Sequence, residues 1–313
     1  MKVYLARVCD YRILKDASIF GIQSHIETAR AERERERERE YETISSRYIT
    51  SANAPVPNTH THTHNEALSS RRTYIEKRGG LANTTINFRG LYILESFYYA
   101  AQNPYFEMLY NMGIDLLLDS GAFTFMQKQK GATDWEKYIT EYAAFINKYQ
   151  IEKFFELDID CIVGLRETER LREILEHLTG RKCIPVWHKS RGLDYFKWMC
   201  NNYKYVAVGG YVSREMSISD YERAFPWFIN TAHKAGAKIH GLGYTNMEGL
   251  KKFHFDSVDS TAWIAGNRYG AVYFFDGTQM RKIDKKPGER VVNMQTAHHN
   301  LCEWIKFQKY LDR

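Results

Sequence analysis

Short apolar runs and amphipathic stretches alternate along most of the chain. Eight short runs are rich in aliphatic, β-branched and aromatic residues and predict strands. They are residues 2–8, 84–90, 114–120, 153–160, 182–188, 204–210, 237–243 and 255–260. Between them, residues 133–149, 165–179 and 217–235 carry apolar side chains at helical spacing. Strands that alternate with helices favour a parallel sheet covered by helices.

The length of the chain favours a closed sheet. A (β/α)8 TIM barrel needs roughly 250 residues, and the chain has 313. We therefore expect an α/β fold with one TIM-barrel domain over residues 1–313, and a doubly wound open sheet is the alternative. A charged and polar insertion, residues 28–75, separates the first two predicted strands and contains the alternating run ERERERERE. That run is expected to form a short charged helix beside a polar loop, or an arm that touches a partner.

Composition narrows the class of protein only slightly. The formal net charge of +6 permits a polyanionic partner without requiring one. The five cysteines are scattered, odd in number and contain no C-x-x-C pair, which argues against a disulfide framework or a cysteine-built zinc site. No signal peptide and no apolar run of membrane-spanning length is evident, so we expect a cytoplasmic protein without membrane contact.

Six of the eight predicted strands end in polar groups or glycines that a buried strand would not need. These groups are Asp119-Ser120-Gly121, Asp158 with Asp160, His188, Gly209-Gly210, His240-Gly241 and Asp259. The carboxyl ends of parallel strands meet at one edge of a sheet, where ligands bind in α/β folds. Two or more carboxylates and two imidazoles around one mouth predict acid/base or nucleophilic chemistry.

Each of these groups also has a purely structural explanation. An aspartate at a strand end is often the N-cap of the next helix. Gly209-Gly210 can be a tight turn, and a single histidine is more often a hydrogen-bonded packing residue. A carboxylate-bound Mg²⁺ stays open on these residues, although no metal site is predicted.

Four short motifs follow one another over about residues 84–263, namely DSGAF (119–123), VGGYVSRE (208–215), HGLGYT (240–245) and VDSTAW (258–263). In this order they resemble the tRNA-guanine transglycosylase superfamily. DSGAF (119–123) resembles the family's D-S-G-G-F/Y, and VGGYVSRE (208–215) resembles its G-G-x-x-x-G-E. HGLGYT (240–245) resembles its M-G-x-G-T-P, and VDSTAW (258–263) resembles the archaeal F-D-S-A-x-Y. The family is a (β/α)8 barrel that exchanges a guanine base in a nucleic acid for a 7-deazaguanine.

The resemblance implies a role for each matching residue. Asp259 matches the nucleophile that attacks C1′ to form a covalent glycosyl–enzyme intermediate, and Asp119 matches the general acid/base. Asp256, three residues before Asp259, is expected to serve structure. The residues that match positions around the base are Ser120, Phe123, Gly209, Gly210, Glu215, His240 and Gly241. Of these, Phe123 and His240 match the pair that sandwiches the base, and the two glycines would bring N–H groups to its carbonyl.

Two positions of the predicted base site are ambiguous. The run ELDIDC fits the family motif in two registers, so either Asp158 or Asp160 matches the carboxylate that reads the Watson–Crick edge. His188 falls where the tRNA enzymes carry a glutamine. Exchange of one glycosidic bond for another requires no ATP, metal or redox cofactor, so no cofactor is expected.

The chain departs from the tRNA enzymes in two further respects, the lack of a zinc subdomain and the long charged insertion between the first two predicted strands. Their C-x-C-x2-C…H zinc subdomain has no counterpart after Asp259, and His298, His299 and Cys302 are more simply packing or surface residues. Compact members without zinc occur in phages and bacterial DNA-modification clusters, and the chain is most similar to that branch. The implied partners are DNA and a 7-deazaguanine such as preQ0, with a homodimer also open. Expected phosphate contacts are Arg71, Arg72, Lys128, Lys130, Lys285 and Lys286.

Three alternatives to a DNA transglycosylase stay open at this point. The first is the same chemistry on tRNA, and the second is a non-catalytic barrel that binds nucleic acid or an active subunit. The third is a glycoside hydrolase, which also uses two carboxylates. The presence of both Asp119 and Asp259 argues against the second, and the glycine-rich motifs argue against the third.

Overall fold

The computed structural model describes residues 1–8, 86–122, 124–125, 133–264, 271–283 and 293–312. Its strands are β1 Lys2–Ala6, β2 Tyr92–Ser96, β3 Asp115–Asp119, β4 Val186–Trp187, β5 Tyr205–Val208, β6 Lys238–Gly241, β7 Ser257–Ser260, β8 Val272–Phe275 and β9 Met280–Ile283. Its helices are α1 Phe97–Ala100, α2 Phe106–Asn111, α3 Trp135–Lys148, α4 Asp160–Val163, α5 Leu165–Thr179, α6 Gly192–Asn202, α7 Ile218–Lys234, α8 Gly249–Lys252 and α9 Asn293–Leu311. The predicted insertion at 28–75 lies outside the described residues.

Seven parallel strands form one curled sheet in the order β3-β2-β1-β7-β6-β5-β4, and β8 and β9 form a separate antiparallel pair. This mixed α/β arrangement is compatible with the predicted barrel class. Strand pairing does not close the sheet, however. Between β3 and β4 the described residues form only isolated parallel bridges, Leu118 with Phe154 and Phe155 with Ile184. Pro185, which has no N–H to donate, directly precedes β4.

The three amphipathic helix predictions are confirmed. Residues 133–149 contain α3, residues 165–179 are α5, and residues 217–235 contain α7. Helix α3 begins where the Asp134 side chain accepts the Lys137 N–H at 2.9 Å. Helix α7 begins in the same way at Ser217, whose side chain accepts the Asp220 N–H at 3.1 Å. Helix α5 ends at Gly180, which adopts the left-handed conformation.

Two of the predicted strands do not form as regular strands. Residues 153–160 contain only the isolated bridges at Phe154 and Phe155. Residues 86–91 contain no strand, and the second strand is β2, Tyr92–Ser96. Alternation in this segment is real, because Ile86 and Phe88 are buried while Asn87 between them is exposed. Among the described residues the segment nevertheless pairs with no strand, and it turns at Gly90 before β2 begins. The alternation therefore predicted which side chains face the core, but it did not predict whether the backbone hydrogen-bonds to a neighbouring strand.

The sheet has a core on each face. Along β1, Val3 and Leu5 join the large cluster between sheet and helices, whereas Tyr4 and Ala6 join a smaller inner cluster. The inner cluster consists of Tyr4, Ala6, Leu94, Leu117, Phe155, Ile184, Val186 and Ala207. Strand alternation with apolar residues on both faces is what a curled, helix-covered parallel sheet requires. Among the described helices, none has the length and apolar character to cross a membrane.

The C-terminal helix α9 fastens the sheet on its amino side. The Gln308 amide donates to the carbonyls of Val3 and Tyr92, at 2.7 and 2.8 Å, and thus bridges β1 and β2. His299 Nε2 lies 2.8 Å from the Tyr273 carbonyl oxygen of β8, in agreement with its predicted packing role. Cys302 in the same helix is partly buried and free of disulfides.

Candidate active site

The carboxyl edge of the curled sheet gathers most of the predicted site. Asp119 ends β3, His188 follows β4, Gly209 follows β5, and Asp259 lies next to last in β7. All four strands are parallel members of one sheet, so these positions open toward the same side. The parallel topology is therefore what brings groups that are up to 140 residues apart in sequence to one mouth.

Asp119 is a half-buried carboxyl group beside two other carboxylates. Burial, followed by the nearby charges of Asp158 and Asp259, raises the pKa of Asp119 to about 7. The Gly121 N–H donates to Asp119 Oδ2 at 3.2 Å and opposes this shift only in part. A carboxyl group with a pKa near neutrality can both donate and accept a proton under physiological conditions.

Asp259 is fixed at the base of the mouth and is 8% exposed. Its Oδ1 accepts the Gly243 N–H at 2.6 Å and lies 3.2 Å from His240 Nε2. The other nitrogen of that ring, Nδ1, lies 2.5 Å from Ser257 Oγ. Both hydrogen bonds to Asp259 engage Oδ1, and among the described residues none reaches its second carboxylate oxygen.

The His240 ring is fully buried, with 0% exposure. It packs beside Phe155 and Tyr4, at centroid distances of 5.3 and 6.2 Å, within the inner face of the sheet. The resemblance implied that His240 forms one wall of a base pocket. In this structure the ring lies beneath Asp259 and supports that carboxylate, so it offers no open face to a ligand.

His188 is held between two acidic side chains. Its Nδ1 lies 2.6 Å from Glu215 Oε1, and its Nε2 hydrogen-bonds to the Asp158 carboxylate. Burial favours the neutral ring, but the charges and hydrogen bonds of Asp158 and Glu215 prevail and raise the pKa of His188 to about 11. His188 is therefore an imidazolium that donates from both nitrogens. The Lys189 N–H donates to the second Glu215 oxygen at 3.1 Å.

The geometry separates Asp158 from Asp160, which the sequence could not. Both Asp160 oxygens are bound by the Arg191 guanidinium at 3.2 Å, and Oδ2 also accepts the Ser190 hydroxyl at 3.1 Å. Asp160 is thus neutralised in a structural ion pair. Asp158 instead faces His188 and influences the pKa of Asp119, which places it with the predicted site.

A buried ion-pair network below these residues was not predicted. Glu156 is fully buried and accepts Arg191 Nη1 at 2.7 Å, Arg172 Nη1 at 3.2 Å and the Val186 N–H at 2.7 Å. It ties the segment that carries Asp158 to β4, α5 and the turn after β4. The signal was present in the sequence, since a glutamate interrupts the apolar run FFELD, and such a charge is buried only when it is paired.

The two glycines after β5 are required by close packing. A Cβ atom on Gly209 would lie 2.8 Å from His188 Cε1, and one on Gly210, at φ +77°, would lie 2.3 Å from Tyr221 Oη. The Gly209 N–H already donates to the Trp187 carbonyl at 2.8 Å. Of the two N–H groups predicted to reach a base carbonyl, the one on Gly209 is therefore committed to the sheet.

Of the remaining predicted residues, some lie in the described part of the chain and the others lie outside it. Ser120 is buried, and its Oγ accepts the Ala122 N–H at 3.4 Å, whereas Gly241 ends β6. Asp256 accepts the Ile239 N–H at 2.8 Å and lies 2.9 Å from His233 Nε2, which agrees with its predicted structural role. The predicted site and phosphate-contact residues that lie outside the described residues are Phe123, Arg71, Arg72, Lys128, Lys130, Lys285 and Lys286.

The donor set at this edge does not fit a metal ion well. One ligand atom each from Asp158, Asp160 and His188 lies within 4.8 Å of the other two. His188, however, hydrogen-bonds to Asp158 and Glu215, and Asp160 is bound by Arg191. A cation would have to break these contacts, since each of the three side chains already has a charged partner.

Comparison with known proteins gives one similarity and no family assignment. No protein-family model matches the chain. Uncharacterized protein 306 of Sulfolobus islandicus rod-shaped virus 1 is 27% identical over 151 residues. The match covers 44% of this chain and 47% of the viral protein, so the chain matches about half the length of that relative.

Proposed function

We propose that the chain is a transglycosylase that exchanges guanine in DNA for a 7-deazaguanine base through a covalent aspartyl intermediate. One observation carries the proposal. Two carboxyl groups, Asp119 and Asp259, meet at the mouth of the sheet in unlike environments, and the pKa of Asp119 is raised to about 7. Retaining glycosyl transfer requires this division into a proton carrier and a nucleophile.

The first half of the reaction removes the resident base. An Asp259 oxygen attacks C1′ of the target nucleotide, the C1′–O bond forms, and the C1′–N9 bond breaks with its electron pair going to the base. Asp119, as the carboxylic acid, transfers its proton to the departing guanine. Hydrogen bonds from Gly243 and His240 hold one oxygen of Asp259, and the other is the oxygen that would attack.

The second half reverses these steps with another base. Asp119, now the carboxylate, removes the N9 proton of the incoming 7-deazaguanine. That nitrogen attacks C1′, and the C1′–O bond to Asp259 breaks, which restores both carboxyl groups. Two displacements retain the configuration at C1′, and neither consumes ATP or redox equivalents.

The array of Asp158, His188 and Glu215 supports recognition of a guanine-type base. The charge of Asp158 helps to raise the pKa of Asp119, and carboxylates accept the N1–H and exocyclic amine of such a base. The finer fold assignment, a (β/α)8 barrel in which residues 154–155 and 184 replace regular strand pairing, belongs to the same proposal. The bridges from β3 toward β4 support it.

The test is base exchange by the purified full-length chain. The protein is incubated with preQ0 and either duplex DNA or tRNA, the nucleic acid is digested, and modified nucleosides are quantified by mass spectrometry. We expect a modified deoxynucleoside with the wild-type protein, and Asp259→Asn should abolish it. Exchange of isotopically labelled guanine into DNA provides the same readout when another deazaguanine is the natural substrate.

Asp256→Asn is the matched control. It lies three residues from Asp259 in the same strand region, and an asparagine oxygen can still accept the Ile239 N–H. Product with this variant but not with Asp259→Asn assigns the loss to the nucleophile. Modification of tRNA alone would replace DNA with tRNA as the substrate, and no exchange with any base would overturn the proposal.

A further inference from the structure

The loop after β5 is anchored at every second residue. Tyr211 packs against Tyr244 and Tyr221, with ring centroids 5.1 and 5.7 Å away. The Ser213 hydroxyl donates to the Gly210 carbonyl at 3.2 Å and lies 3.3 Å from Glu215 Oε1. Glu215 in turn binds His188. The loop from 210 to 215 is thus held firmly on the rim of the candidate active site.

The two residues between these anchors point into solvent. Val212 is 74% exposed, more than any other large hydrophobic side chain among the described residues. Arg214 is also exposed and adopts a φ of +58°, a conformation that costs free energy for a residue other than glycine. Within the described part of the chain its guanidinium makes no hydrogen bond or ion pair. The loop therefore presents one apolar and one cationic side chain to solvent.

Val212 lies against the glycine that hydrogen-bonds to the proposed nucleophile. A Cβ atom on Gly243 would be 2.3 Å from Val212 Cγ2, so the valine methyl group sits against the Gly243 backbone. The N–H of the same Gly243 binds Asp259 Oδ1 at 2.6 Å. One glycine therefore separates the exposed valine from the carboxylate that is proposed to attack C1′.

We infer that Val212 is a wedge that enters a DNA duplex and fills the space left when the target nucleotide turns out of the base stack. The inference rests on the proposed function and adds that the enzyme opens intact duplex. An enzyme that attacks C1′ and replaces a base must extrude that nucleotide, and apolar wedges are a recurrent means of unstacking. Arg214, two residues along the same rim, is placed to contact the flanking phosphate.

The experiment compares one DNA in two forms. Exchange of labelled guanine is measured on native plasmid DNA and on the same DNA after heat denaturation, which needs no knowledge of the target sequence. We expect Val212→Ala to slow exchange about tenfold or more on native DNA and by less than about twofold on denatured DNA, because only the duplex requires unstacking. Val212→Leu should retain activity on both forms.

Leu178→Ala is the control for loss of an exposed apolar side chain. Leu178 is 41% exposed near the carboxyl end of α5, away from the strand ends that form the mouth. Unchanged melting temperatures of the variants exclude misfolding. Equal slowing of Val212→Ala on both DNA forms, or no slowing on either, would overturn the wedge. Wild-type protein that exchanges on neither form would overturn the proposed function and the wedge with it.

The salt dependence of the exchange rate tests the proposed phosphate contact of Arg214. The logarithm of the exchange rate on native DNA should fall as the logarithm of the salt concentration rises. We expect Arg214→Gln to make this negative slope less steep by about one, since one phosphate contact is lost. Arg170→Gln should leave the slope unchanged, because Arg170 is exposed but already bound by Glu167 and Glu136. Equal slopes for Arg214→Gln and wild type would remove Arg214 from the interface.

Discussion

Strand β3 carries one aspartate at each end, and the two have opposite environments. Asp115 begins the strand and Asp119 ends it, and the even spacing of four places both on the face that also bears Leu117 of the inner cluster. At the amino edge, Asp115 accepts the Tyr4 hydroxyl at 2.8 Å, lies 3.3 Å from Lys2 Nζ and forms an ion pair with Lys153. Burial would raise the pKa of Asp115, but Lys153 and its other partners lower it.

At the carboxyl edge, Asp119 faces carboxylates instead of cations, and its pKa rises to about 7. The same residue type on the same face of the same strand is therefore a structural ion pair at one end and a proton carrier at the other. A strand-end carboxylate is therefore a candidate for chemistry when no neighbouring cation compensates its charge.

The largest expected effect is on catalysis. Asp119→Asn should reduce the rate of guanine exchange by about 10²- to 10⁴-fold, because the amide cannot carry the proton between the two bases. Asp115→Asn should leave the chemical step unchanged. Single-turnover exchange, in which each variant is separately present in saturating excess over DNA, measures this step. Similar rates for the two variants would erase the functional contrast between the ends of β3.

The second expectation is a gain in stability from the same substitution. The pKa of Asp119 is raised in the folded state, so folding favours its protonated form, and ionisation destabilises the fold as pH rises from about 4 to about 7. Asp119→Asn should increase the free energy of unfolding at about pH 8 by an amount on the order of a few kcal/mol. The gain should disappear near pH 4. Urea unfolding at both pH values measures it, and a loss of stability at about pH 8 would contradict the environment described for Asp119.

Asp115→Asn should have the opposite sign and a smaller size. A lowered folded-state pKa contributes stability that is present above about pH 4 and is lost as pH falls. The two charged partners, Lys2 and Lys153, are partly exposed, so we expect a cost of about 1–2 kcal/mol at neutral pH. The same unfolding experiment supplies the measurement. Equal stability of variant and wild type at neutral pH would show that the amino-edge cluster is not held by charge.

The smallest expected effect concerns His188 as a positioning residue. The imidazolium partly offsets the negative charge of Asp158, which is one cause of the raised Asp119 pKa. His188→Gln removes the cation, so the alkaline limb of the pH–rate profile should move upward by about one pH unit or less. A limb that stays fixed or moves downward would mean that His188 does not act through Asp158. Lys189→Gln, next to it in sequence but exposed, is the control.

Much of the fold could be predicted because its signals are local. Helices α3, α5 and α7 follow from apolar spacing and from Asp134, Ser217 and Gly180 at their ends. The predicted carboxyl ends of β3, β5 and β7 lie within two residues of the observed ends. The 84–90 strand failed because alternation reports burial and not pairing, and residues 153–160 failed to form a full strand for the same reason.

The order of strands and helices along the chain is enough to predict which residues reach the carboxyl edge, since parallel strands send Asp119, His188 and Asp259 to one side. The environment of each of these residues depends on contacts that form only in the folded chain. The partners of Asp115 lie 38 and 113 residues away, and Asp160 is separated from Arg191 by 31. Charge pairing acts through space over a few ångströms, so nothing in the spacing along the chain reveals which carboxylate is neutralised and which is left to react.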